Sequence, residues 1–191
     1  MQIILGSSSP FRKQLLQQLG IEFETDSPDI DETPAAGESV EDMVLRLSIE
    51  KAAEIAKRHP NSLIIGSDQS ALLNGEILHK PGNHETAARQ LQQASGQKVI
   101  FQTGLCLYNT KTNTFQSKLV PYTVTFRVLT DAMIENYLQR EQPYQCAGSF
   151  KSEGLGVALF ESMEGTDPSA LIGLPLIELT NMLNNEGFSV L

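Results

Sequence analysis

Positive charge is scarce in this chain: 14 lysines and arginines stand against 23 aspartates and glutamates in 191 residues, for a net charge of -9 at pH 7. That balance argues against the broad basic footprint of proteins that grip a DNA or RNA polymer or an anionic membrane surface. Small anionic ligands remain open wherever a few cations converge. Long apolar runs are missing too. No stretch approaches transmembrane length, and the run Ile3 to Leu5 is too short for a signal peptide. Only two cysteines occur, Cys106 and Cys146, at no metal-ligand spacing. They read as reduced thiols, and a cytoplasmic setting follows. With no internal repeat, low-complexity tract or obvious linker, one domain spanning 1–191 is expected, long enough to bury a sizeable core.

What is present alternates between helical and extended patterns. A short strand, Ile3 to Leu5, runs into Gly6-Ser7-Ser8-Ser9-Pro10, and Leu15, Leu16 and Leu19 then mark a helix that stops at Gly20. Ser9 suits the N-cap and Pro10 the first helical position. A strand near Glu22 to Thr25 leads into the acidic loop Asp29 to Glu32, and a helix follows over Ser39 to Arg58. Leu63 to Ile65 read as a buried strand ending at Gly66, Ser67 and Asp68. Asn74-Gly75 signals a hairpin between Ala71 to Leu73 and Ile77 to Leu78. Helix over 85–93, long strands over 99–108 and 115–128, helix over 131–140, a glycine-broken region over 148–173 and a last helix over 176–185 complete the pattern. Helices alternate with strands first and hairpins dominate later, which predicts an α/β fold with a mixed twisted sheet flanked by helices, in two lobes around a central cleft.

The most informative residue is Lys51. In the helix over 39–58 it falls on the same arc as Val44 and Leu47, so its ammonium is aimed at the core. A buried ammonium needs carboxylates, a bound anion or a snorkelling escape. If the charge is kept for a ligand, Lys51→Met is expected to leave stability unchanged or higher. Four other signals could join it. The turn Ser7 to Arg12 between strand and helix offers free backbone N–H groups, a helix dipole and an arginine fork to a phosphate. Asp68, just past an apolar strand, is where open α/β sheets present ligand-binding groups. The cluster Asp29, Asp31, Glu32 offers hard oxygen ligands to a magnesium-like ion. Lys80-Pro81 presents a lysine on stiffened backbone. Together they are the parts of a metal-bridged polyphosphate site.

The ordered set Ser7-Ser8-Ser9-Pro10-Phe11-Arg12, Glu32, Glu50-Lys51-Ala52, Gly66-Ser67-Asp68-Gln69, Lys80-Pro81, Gly148 to Gly154 and Gly173-Leu174-Pro175 resembles the Maf family of nucleoside triphosphate pyrophosphatases across essentially the whole chain. The family's common pattern has arginine at the position of Phe11 and threonine at that of Gln69. Those departures, with Lys151-Ser152-Glu153-Gly154, are similar to the 7-methyl-GTP branch rather than the dTTP/UTP branch.

The resemblance implies an inosine triphosphatase-like fold, a divalent metal (Mg, Mn or Co), a small-molecule nucleotide substrate and a homodimer. It implies cleavage between the α and β phosphates, with removal of modified nucleotides as the purpose. Carried over by position, Asp68 is the proton acceptor and, with Glu32, a metal ligand. Ser7, Arg12, Lys51 and Lys80 bind phosphate, and Phe11, Gln69 and Glu153 select the base. An aromatic face at Phe11 and a carboxylate at Glu153 suit a cationic 7-methylguanine. The competing readings are a dTTP/UTP pyrophosphatase, a nucleotidyltransferase with a similar loop, arginine and Lys-Pro, and a nucleotide-binding regulator.

Overall fold

A computed structural model describes residues 1–191. The sheet is mixed and has seven strands: β1 (Gln2–Gly6), β2 (Glu24–Asp26), β3 (Ser62–Leu73), β4 (Glu76–Leu78), β5 (Lys98–Asn109), β6 (Thr114–Phe126) and β7 (Phe160–Gly165). Five helices accompany it: α1 (Pro10–Gln17), α2 (Val40–Ala56), α3 (His84–Ala94), α4 (Asp131–Glu141) and α5 (Leu176–Asn185). The chain divides into two compact units, Met1–Gln69 with Gln102–Val120 and Asp167–Leu191, and Ser70–Phe101 with Pro121–Thr166.

In the first unit, β1 pairs in parallel with both β2 and β3. Alternation along the strands sorts the core. Ile3, Leu5, Leu63, Ile65, Leu105 and Leu107 pack on α1 and α5 through Leu15, Leu16, Leu179 and Leu183. Their neighbours Ile4, Ile64 and Cys106 face the other way, onto Ala52 and Ile55 of α2. Caps fix the helix starts: Ser9 accepts the Arg12 N–H with Pro10 at the first position, and Ser39 accepts the Asp42 N–H with Glu41 and Asp42 in the first turn.

Helix α2 lies very close to the sheet. A β-carbon at Gly66 would stand 2.1 Å from the Ser48 carbonyl oxygen, and one at Gly104 would stand 2.2 Å from that of Val44. Two neighbouring strands therefore carry hydrogen where any other residue would wedge the helix away. The structure also differs from the sequence pattern, in which β3 stops before Asp68. The strand instead runs unbroken to Leu73, so Asp68 lies within it. Ser67 Oγ shares its one proton between the Gly104 and Gly173 carbonyls, at 2.9 and 2.8 Å, and contacts of this kind override the weak strand propensity of Gly-Ser-Asp.

In the second unit, Asn74 and Gly75 both take positive φ and close the expected hairpin of β3 onto β4. Phe126, Phe150 and Phe160 meet edge-to-face at centroid distances of 5.0 to 5.5 Å, joined by Phe101 on Phe150. The glycine-broken region hides β7, antiparallel to β6. Its glycines and exposed glutamates masked the strand pattern.

Replacing Gly66 by alanine should cost about 1 to 3 kcal/mol through overpacking. Thermal denaturation is expected to show a Tm lower by roughly 2 to 12 °C, at about 2–4 °C per kcal/mol for this chain length. An unchanged Tm would show that the close approach of α2 is not a constraint.

Candidate active site

Lys51 does not snorkel. Its Nζ lies 2.6 Å from Asp68 Oδ1 and 2.8 Å from Glu32 Oε1. The lysine is 6% exposed and Asp68 8%, while the Glu32 side chain is 59% exposed. The helix buries Val44, Leu47, Ser48, Ala52 and Ile55 on the same arc, and the lysine stem passes through that packing to a carboxylate on the strand beneath. Asp68 Oδ2 and Glu32 Oε2 accept no hydrogen bond from the protein. Two carboxylates from different segments thus converge on one cation, each with an oxygen to spare.

The loop that brings Glu32 there is pinned by a residue the sequence pattern passes over. Arg46 of α2 reaches Glu38 at 2.6 and 2.7 Å, the Thr33 carbonyl at 3.3 Å and Glu50 at 3.0 Å. The Arg46 hydrogen bonds hold the Glu38 carboxyl down at about 2. Because the folded value is depressed, this contribution is present above the ordinary carboxyl range and is lost as pH falls toward 2. The legible signal for Arg46 was its i,i+4 spacing to Glu50.

Arg12 is held just as firmly. Its Nε donates to the Gly173 carbonyl at 2.8 Å and its Nη1 to that of Ser67 at 2.9 Å, leaving Nη2 for a ligand. Burial lowers its pKa, while the charges of Asp68 and Glu32 raise it. The guanidinium therefore shares a field with the Lys51 cluster. The Gly173 carbonyl is presented by a segment anchored on Asp167, a second residue not picked out from sequence. Asp167 is buried and accepts the N–H groups of Ser169, Ile177 and Glu178 at 3.1, 2.8 and 3.3 Å. An aspartate before Pro168 is a helix-start signal that pointed to it.

Other expectations are corrected in detail. The turn after β1 offers fewer free amides than expected, since Ser7 N–H donates to the Leu5 carbonyl, Ser9 N–H to Ser7 Oγ and Arg12 N–H to Ser9 Oγ. Ser7 keeps its hydroxyl proton for a ligand. Gln69 uses its amide NH2 on Thr103 Oγ1 at 2.9 Å and the Ala170 carbonyl at 2.6 Å, so only its Oε1 is spare. Phe11 is half-buried at the second position of α1. Asp29 and Asp31 stay out of the cluster, and Asp31 accepts the Thr33 N–H at 2.9 Å within the loop.

Lys80 and Glu153 belong to the second unit. Both are exposed, and Lys80 has no ion-pair partner. The Lys80 segment is tied down by Gly82 N–H to the Tyr144 carbonyl at 2.9 Å and by Gln90 to the His79 carbonyl at 3.0 Å. Burial raises the pKa of the half-buried Cys146 thiol, Lys151 and Lys80 lower it, and Glu153 and Glu141 raise it. Lys80 and Glu153 are therefore both within electrostatic reach of one thiol.

No three His, Cys, Asp or Glu side chains cluster as a metal site. The pair Asp68 and Glu32 still suits a magnesium-like ion, which takes one or two carboxylates and completes its shell with phosphate and water. A buried cation–carboxylate pair with spare oxygens and an arginine beside it are suited to phosphate chemistry.

The profile of the Maf-like protein family matches residues 2–186. The chain belongs to the Maf family. Among Maf relatives, the 7-methyl-GTP pyrophosphatase of Nitrosococcus oceani is 54% identical over 189 residues, 99% of this chain and 95% of that one. The protein of the same name from Alcanivorax borkumensis is 55% identical over 185 residues, 97% of this chain and 94% of that one. A solved structure, the Staphylococcus aureus Ham1 protein, overlaps 69% of this chain and 73% of its own at 17% identity and a TM-score of 0.46. No helix is long and apolar enough to cross a membrane.

The geometry reverses the expected effect of removing Lys51. Lys51→Met leaves the Asp68 carboxylate buried and unpaired, and should cost about 3 kcal/mol, whereas Asp68→Asn keeps an acceptor for Lys51 and should cost less. The double variant Lys51→Met/Asp68→Asn should recover part of the loss in chemical denaturation. Equal stability of Lys51→Met and wild type would contradict the pairing.

Proposed function

We propose that this Maf protein is a nucleoside triphosphate pyrophosphatase that hydrolyses 7-methyl-GTP to 7-methyl-GMP and pyrophosphate. The observation that carries the reading is the Lys51 ammonium between Asp68 and Glu32 at 2.6 and 2.8 Å, in a chain 53–55% identical to relatives named for that activity. In this reading the whole chain acts as one catalytic domain, a cytoplasmic homodimer on a small-molecule substrate rather than a nucleic-acid polymer.

Phosphoanhydride cleavage needs an aligned water, a proton acceptor and neutralised charge. Asp68 takes the proton of the attacking water on its spare oxygen as the water forms a bond to the α phosphorus. The bond from that phosphorus to the bridging oxygen breaks, and pyrophosphate leaves with the electron pair. Asp68 and Glu32 would hold a divalent cation, Mg, Mn or Co. When bound, it neutralises phosphate charge and makes water more acidic. Lys51, Arg12 Nη2 and the Ser7 hydroxyl bind phosphate in the first unit, and Lys80 supplies a free ammonium from the second.

Base selection falls to Phe11, Gln69 Oε1 and Glu153. The Phe11 face favours the ring charge that 7-methylation fixes on guanine, by about 0.5 to 2 kcal/mol. Glu153 accepts hydrogen bonds from the Watson–Crick edge of guanine and favours a cationic ring over a neutral one.

The test is kcat/KM with pyrophosphate detection for 7-methyl-GTP, GTP, UTP and dTTP, with the metal held constant. The methylated nucleotide should rank first. Asp68→Asn should lose about 100-fold or more of turnover while staying folded, and Glu153→Gln should lower the preference for 7-methyl-GTP over GTP by about ten- to a hundredfold. A wild-type preference for UTP or dTTP would reject the base assignment, and near-normal turnover by folded Asp68→Asn would reject the base catalyst.

A further inference from the structure

The carboxylate read above as base-selecting has no rigid support of its own, because Glu153 is exposed and meets only the Ser152 hydroxyl, at 3.3 Å. What holds its loop is the last residue of α4. Glu141 Oε2 accepts the Leu155 N–H at 2.8 Å, two residues past Glu153, while Glu141 Oε1 and its own carbonyl each accept from Lys151 Nζ at 3.3 Å, two residues before it. The Gly154 backbone rides so close over this carboxylate that a β-carbon there would stand 2.8 Å from Glu141 Oε2. One turn earlier on α4, the buried Tyr137 hydroxyl accepts the Lys151 N–H at 3.0 Å. Gly154 N–H closes the turn onto the Lys151 carbonyl at 3.3 Å.

We infer that Glu141 and Tyr137 are positioning residues that set base selectivity by clamping the loop Lys151–Leu155 on both sides of Glu153; the inference rests on the base-reading role proposed for that residue. An exposed carboxylate on a free loop would lose its aim to rotamer and backbone freedom. Tied at Lys151 and Leu155, it has only its own side-chain torsions left. The same ties engage the Lys151 ammonium with Glu141, which gives this residue a structural part in Lys-Ser-Glu-Gly. A carboxylate satisfies this better than an amide, because it accepts from a backbone N–H and an ammonium together without presenting a donor to either.

The experiment compares kcat/KM for 7-methyl-GTP and GTP in wild type, Glu141→Gln, Tyr137→Phe, Glu153→Gln and the doubles Glu141→Gln/Glu153→Gln and Tyr137→Phe/Glu153→Gln, at a temperature where all are folded by circular dichroism. Glu141→Gln and Tyr137→Phe are each expected to reduce the preference for 7-methyl-GTP by about three- to tenfold, with GTP turnover unchanged. Combined with Glu153→Gln, neither should reduce it further. If folded Glu141→Gln and Tyr137→Phe keep the full wild-type preference while Glu153→Gln loses it, the clamp is refuted and the base reader stands. If Glu153→Gln also keeps it, the base-reading role falls and the clamp's role in selectivity falls with it. Additive losses in both doubles would likewise overturn the inference, since they would place Glu141 and Tyr137 on a route independent of Glu153.

Discussion

An ammonium on the inner arc of α2 has to be matched before that helix can dock, and in this protein it is matched by Asp68 at 2.6 Å and Glu32 at 2.8 Å. Much of the first unit follows from that demand. Gly66 and Gly104 let α2 close on the strands until a lysine stem reaches a strand carboxylate. Asp68 can be buried within β3 because its charge has a partner, and the strand can continue through Gly-Ser-Asp because Ser67 is bonded on two sides. A buried pair of this kind adds little net stability compared with apolar packing, yet is costly to break on one side. Such an arrangement is better suited to holding charges ready for a ligand than to holding the fold together.

The support around the pair is built from side chains that bind backbone. Arg12 fastens the Gly173 and Ser67 carbonyls while its third nitrogen stays open, and Asp167 fixes the segment that offers Gly173. Arg46 and Glu38 fasten the loop that delivers Glu32 to Lys51. In the second unit, Gln90 and the Tyr144 carbonyl hold the Lys80 segment, and Glu141 holds the loop of Glu153. The exposed charges proposed to meet a ligand are thus carried on short segments whose backbone is fixed from behind, which would limit the ordering a ligand must impose.

Most of the architecture was legible because its signals are local. Helix starts were announced by Ser9-Pro10 and Ser39, the hairpin by Asn74-Gly75, and the mixed sheet by the order of helical and alternating segments. Lys51 stood out because a charge on an apolar arc violates the pattern, and such violations gather at functional sites. The misses have physical causes. The length of β3 and the carboxylate partners of Lys51 depend on contacts distant in sequence. Phosphate-binding amides were over-counted at Ser7 and Ser9, since serine hydroxyls compete for the same N–H groups. Arg46, Glu38, Asp167 and Glu141 look like ordinary surface charges until the chain folds around them.

In the proposed mechanism this constellation directs water onto the α phosphorus of a nucleoside triphosphate. The most direct measurement is hydrolysis of 7-methyl-GTP in water enriched in oxygen-18, with mass analysis of both products. Attack at the α phosphorus is expected to leave one labelled oxygen in 7-methyl-GMP and none in pyrophosphate. Label in pyrophosphate would mean attack on the β phosphorus, and release of orthophosphate with 7-methyl-GDP would mean attack on the γ phosphorus; either result would contradict it.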